Sequence, residues 1–108
     1  MARFIVFKRL PAAAMAIYPF ILIKSKAYKS DPVLVNHEKI HHQQQLELLI
    51  LPFYLLYFVN YLVNLLIYRS HYRAYLNIVF EKEAYQHECD LGYLVKRKRY
   101  NWFKLIKP

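Results

Sequence analysis

This chain of 108 residues has a single glycine, a single cysteine and only seven acidic residues. One cysteine excludes an internal disulfide, and with no cysteine cluster any metal must be held by histidine and carboxylate. So little glycine leaves few easy turns, which is unusual for a soluble domain of this length. The shortage of acids against 16 Lys and Arg gives a formal net charge of +9. Apolar residues are abundant instead: 57% of the chain is hydrophobic, with eleven Tyr and seven Phe. Basic charge on so apolar a chain points to anionic lipid rather than nucleic acid, because the aromatics sit mainly in apolar runs. We therefore expect membrane association, whether integral, re-entrant or peripheral, and no nucleic-acid partner.

The length allows one domain with a small core. Its parts are an N-terminal apolar and extended segment with a loop (1–31), a helical core (32–95) and a basic aromatic tail (96–108). The run Leu10 to Ile23 follows Arg3, Lys8 and Arg9 in the manner of a signal peptide, but Pro11 and Pro19 interrupt it and no small-x-small cleavage pattern follows. It is also shorter than the ~20 apolar residues of a straight span. Ala16 to Ile23 is β-branched and aromatic, which predicts an extended segment with Pro19 suited to an edge strand. Such an edge can hold an extended substrate; the competing reading is an interfacial anchor.

Ser30-Asp31-Pro32 reads as a helix start, with a capping side chain and a proline whose missing N–H costs nothing there. From Leu48 to Tyr68 no residue is charged, and the stretch is long enough to cross a bilayer. A rod from His37 to Tyr68 would be roughly 45 Å long. If Glu81 is to reach the histidines, the apolar stretch must fold back, and Pro52 is the expected hinge. The expectation is a re-entrant apolar hairpin, with a simple span as the alternative. A last helix is predicted over Val79 to Lys96, weakened by Gly92. The tail, with its alternating cations and aromatics around Trp102 and Phe103, suits an anionic membrane face. The fold class expected is mainly α, or α+β if the N-terminal segment forms a strand or hairpin.

The chemistry concentrates in Asn36-His37-Glu38-Lys39-Ile40-His41, which contains the order His-Glu-x-x-His. On a helix His37 and His41 lie one turn apart on the same face, so both imidazoles can converge on one ion, with Glu38 beside them. A catalytic zinc normally takes three protein ligands. Glu81 offers the third: Ala84, three positions on, lets a neighbouring helix approach closely. Glu83 is the second choice. His42 lies off the ligand face and reads as a surface residue. Gln44, one turn beyond His41, is a candidate for a hydrogen bond behind the ligands.

His-Glu-x-x-His followed by Glu-x-x-Ala on a later helix resembles the gluzincin metallopeptidases, over roughly Pro32 to Glu88. The resemblance implies Zn2+ held by His37, His41 and Glu81, and Glu38 as the general base that activates a water at the metal. Where those families place Asp four residues after the ligand Glu, this chain has Tyr85, whose hydroxyl is a weaker orienting partner for a ligand histidine. The chain would be a minimal member. His71, Tyr72, Arg73 and Tyr75 are the candidates for oxyanion or substrate contacts. The expected function is zinc-dependent hydrolysis of peptide bonds at or near a membrane. The alternative is a catalytically inactive membrane structural or interaction protein with a lipid-binding tail.

Overall fold

The computed structural model describes residues 3–106. Three strands come first: β1 Arg3–Val6, β2 Ala14–Ile17 and β3 Phe20–Ile23. Five helices follow: α1 Pro32–Glu47, α2 Leu51–Tyr68, α3 His71–Leu76, α4 Val79–His87 and α5 Tyr93–Lys96. Short 3-10 turns lie at Lys26–Ser30 and Asn101–Leu105. The fold is thus mainly helical with one small sheet, and the N-terminal extended segment is a hairpin, which makes it α+β.

β3 is the central strand, parallel to β1 and antiparallel to β2. Strand alternation sends Ile21 and Ile23 fully into the core. Pro19 falls in the turn between β2 and β3 and not in an edge strand; the edge strand that packs against α1 is β2. The Lys24 N–H donates to the Ala13 carbonyl at 2.9 Å. Given the register Ala14↔Ile23, antiparallel alternation then turns the backbone groups of Ala14 and Ala16 outward. The hairpin is fastened to α1 by side chains: Gln45 donates to the Ala16 carbonyl and accepts from the Tyr18 N–H, both at 2.8 Å. His42 also takes part, donating to the Phe20 carbonyl at 2.9 Å. It is buried, not a surface residue, because the hairpin covers the face of α1 that the helix alone would leave to solvent.

α1 starts where its cap predicts, with the Asp31 carboxylate accepting from the N–H groups of Val33 and Leu34. It ends in a reversal at Leu48 to Ile50. Leu49 and Ile50 have φ of 60° and 66°, and the Leu51 N–H bonds to the Leu49 carbonyl at 2.8 Å. This is a γ-turn about Ile50 in its rarer, strained form. Pro52 then sits in the first turn of α2, where it displaces no helical hydrogen bond. The expected hairpin inside the apolar run is corrected accordingly: residues 51–68 are one helix, and the fold-back precedes the proline.

α2 is long and apolar enough to cross a membrane, and 11% of it is buried. The face it turns inward carries its polar groups. The Asn60 side chain accepts from the Val79 N–H at 2.8 Å, Asn64 donates to the Ala74 carbonyl at 3.1 Å, and the Tyr61 hydroxyl meets His71 at 2.7 Å. Phe53 on that face joins Ile78, Val79, Phe80 and Trp102 in the larger core cluster.

The single helix expected over 79–96 is instead two. The Asn36 amide donates to the carbonyls of His87, Glu88 and Asp90, which satisfies outside the helix the acceptors that a continuing helix would use. The basic tail is also drawn into the fold. Arg97 is clamped by Glu47 and Glu83, and Trp102 packs on Phe80 while donating to Glu47 at 3.1 Å. Phe103 and Lys104 remain exposed.

Candidate metal centre

His37 and His41 project from one face of α1, and Glu81 reaches them from α4 because fully buried Ala84 packs against Ile40. The two Nε2 atoms are 3.2 Å apart, and each lies 3.0 Å from Oε1 of Glu81. All three residues are buried. Zinc bonds of about 2.0–2.1 Å in a tetrahedron separate the ligand atoms by roughly 3.3–3.4 Å. The triangle needs only a few tenths of an ångström of adjustment to meet that spacing, so these three residues can hold a metal ion.

The second nitrogen of each imidazole is engaged. His37 Nδ1–H donates to Glu88 and His41 Nδ1–H donates to Gln44, each at 2.7 Å. The Gln44 amide is itself oriented, donating to the Phe80 carbonyl at 3.0 Å and to Glu83 at 2.9 Å. With both Nδ1 atoms donating, Nε2 is the nitrogen each imidazole turns to the common point, free to bind an ion once it has given up its proton. The Tyr57 hydroxyl donates to Oε2 of Glu81 at 2.6 Å, which leaves Oε1 for the histidines.

Burial alone would raise Glu81, but the charge of His41 and hydrogen bonds from both imidazoles hold its carboxyl well below the usual range. Burial alone would lower His41; the charge and hydrogen bond of Glu81, with the charge of Glu38, raise it to about 9. Glu38 behaves in the opposite sense to Glu81: burial pushes its carboxyl up despite the two histidines.

Glu38 lies between two clefts. One, of about 290 Å³, is bounded by Met15, His41, Phe53, Tyr54 and Tyr57. The other, of about 280 Å³, is bounded by Asp31, His37, Tyr85 and Glu88. Ala12, Ala14, Glu38 and Tyr75 line both, so a groove runs past Glu38 along the outer edge of β2.

The remaining candidates separate cleanly. Of the four connection residues only Tyr75 lines the groove. His71 is held by Tyr61, Tyr72 is 68% exposed and Arg73 lies over the Tyr68 ring. Glu83 is no ligand, because Arg97, Tyr93 and Gln44 occupy its carboxylate. Gln44 does stand behind His41. Tyr85 packs edge-on against the His37 ring, with centroids 4.5 Å apart, and its hydroxyl goes to Tyr75. The imidazole partner expected of Tyr85 is Glu88, seven residues after Glu81 and so on the same helical face. Sequence reasoning also misses Tyr57, whose signal is weak but present: Phe53, Tyr57, Asn60 and Asn64 mark one face of an otherwise apolar helix.

No protein-family model, curated protein or solved structure matches this chain, so what the site does must be read from its geometry.

Proposed function

We propose that the protein is a gluzincin-like, zinc-dependent peptidase acting at or near a membrane. His37, His41 and Glu81 are its metal ligands and Glu38 its general base. The observation that carries this reading is the placement of Glu38 beside the ligand triangle, in the middle of a groove that passes the edge of β2 at Ala14; the Ala16 carbonyl further along is taken by Gln45 and Tyr54. A donor set of two imidazoles and a carboxylate suits zinc.

Held by His37, His41 and Glu81, a zinc ion would supply Lewis-acid activation of a water and of a substrate carbonyl. Glu38 would act as general base toward the attacking water and return the proton to the leaving amine, a role that a carboxyl raised by burial fits. The outward backbone groups of Ala14 pair with an extended peptide and lay it along the groove. Tyr75 supplies the hydroxyl donor for the developing oxyanion; loss of such a donor elsewhere costs about 3–4 kcal/mol of transition-state stabilisation.

The test is elemental mass spectrometry of the detergent-purified chain, followed by turnover of a peptide library by wild type and Glu38→Gln. About one zinc per chain, kept by the variant while turnover disappears, is expected. Turnover preserved in Glu38→Gln, or no zinc after a zinc soak without chelator, would overturn the reading in favour of an inactive membrane interaction protein.

A further inference from the structure

We propose that α2 docks flat on an anionic phospholipid bilayer, with its outer face in the headgroup region and its axis in the membrane plane. This rests on the membrane location in the functional reading and is independent of the zinc chemistry. The polar side chains of α2 are committed inward: Tyr57 to Glu81, Asn60 to Val79, Tyr61 to His71 and Asn64 to Ala74. What remains outside is a stripe of Leu51, Leu55, Phe58, Leu62 and Leu66, spaced three or four residues apart, with exposures of 77, 65, 56, 42 and 78%. It is flanked by an apolar groove of about 580 Å³, where Phe103 and Ile106 face Val59 and Val63. So large an apolar surface marks an interaction face.

Orientation follows from what α2 carries. A helix standing across the bilayer would draw α3 and α4, which are bonded along its length, into hydrocarbon together with Arg73, Lys82 and Glu83. Lying flat keeps them on the aqueous side. Charge selects the partner: Arg69 caps the C-terminal end of α2, Arg73 lies over Tyr68 and Lys82 borders the groove. Arg99 shares a cleft with Leu49 at the other end. α2 itself carries no acidic residue, Glu81 meets only its inner face, and among the described residues no acidic side chain lines the outer groove. A cationic rim around an apolar stripe matches an anionic leaflet.

The test places single cysteines at Leu51, Leu55, Leu62 and Leu66 in a Cys89→Ser background, each carrying an environment-sensitive fluorophore. Depth is read with lipid-borne quenchers in vesicles of phosphatidylcholine, with and without phosphatidylglycerol. A flat helix puts all four labels at one shallow depth in the anionic vesicles and leaves them in water with phosphatidylcholine alone. A span separates Leu51 from Leu66 by about 22 Å along the normal, so a depth gradient overturns the proposal. Labels that stay in water on both vesicles, or that are shielded without lipid because two copies pair through this face, overturn it as well. Arg69→Asn combined with Arg73→Gln lowers affinity for the anionic vesicles roughly thirtyfold; unchanged affinity contradicts the choice of an anionic partner. Zinc content and turnover are separate readouts, so failure of the peptidase reading leaves the depth result standing.

Discussion

The Tyr57 hydroxyl and Oε2 of Glu81 are joined across 2.6 Å, which ties the most apolar helix of the protein to the carboxylate of its candidate metal site. Tyr57→Phe removes the donor and keeps the ring. We expect zinc affinity to fall about ten- to a hundredfold, the usual effect of losing a group that orients a ligand. Competition with a chromophoric chelator measures it. Wild-type affinity in this variant would mean that Glu81 is oriented without Tyr57.

Glu88 is the acceptor for His37 Nδ1–H. Glu88→Ala should weaken metal binding by a similar ten- to hundredfold factor. Glu88→Gln keeps a carbonyl acceptor and should retain most of the affinity. Equal losses in the two variants would assign the effect to charge rather than to orientation.

His41 governs the pH dependence. Its pKa in the metal-free fold, about 9, is above its ordinary 6.5. The stability gained from its pairing with Glu81 is therefore fully present below 6.5 and is lost as pH rises through about 9. Metal binding has the opposite sense, because the imidazole must give up its proton to the ion. Zinc affinity should fall about tenfold per pH unit as pH drops below 9. Calorimetry in buffers of different ionisation enthalpy should find about one proton released per zinc at neutral pH. Uptake without proton release would show that the imidazole is already neutral.

The side chain of Glu83 is fully buried, and that of Arg97 is 4% exposed. Arg97→Met leaves Glu47 and Glu83 without their cation and should destabilise the fold by about 3–5 kcal/mol in denaturant titration. Burial opposes ionisation of Glu83, but hydrogen bonds from Arg97, Gln44 and Tyr93 hold its carboxyl below 4.5. Its contribution is present above 4.5 and lost as pH falls below that value, so wild-type stability should decline in acid more steeply than that of Glu83→Gln. Parallel acid profiles for the two proteins would rule this out.

Ile50 holds a positive φ that a β-branched residue rarely adopts. Ile50→Gly should raise stability by about 1 kcal/mol, read as a shift in the denaturant midpoint. A lower midpoint would mean that the side-chain contacts of Ile50 outweigh the strain.

Local signals in the sequence are sufficient for the start of α1 and for the grouping of His37, His41 and Glu81. Asp31-Pro32 acts within one turn, the two histidines are one turn apart, and Ala84 announces a close helix approach. Features made by distant partners are not legible in this way. Arg97 reads as part of a surface tail until Glu47, fifty positions earlier, is placed beside it. Asn36 gives no hint that it ends α4, and His42 looks solvent-facing until β3 covers it. The reversal at Leu49 and Ile50 has no glycine to mark it, so Pro52 attracts the assignment. Tyr57 is hidden by its apolar neighbours, although the spacing of the polar side chains on α2 distinguishes the two faces.

His41 and Glu81 are forty positions apart in the chain, yet their side chains meet at 3.0 Å. An ion gripping both would staple a loop of that length, much as a disulfide does in a secreted domain. The chain-entropy estimate for a loop of this size is about 4 kcal/mol. With one cysteine, the protein has no covalent means of making such a link within its own chain. Chelation would then act on the whole molecule: the stripped chain should be cut by added proteases well before the loaded one.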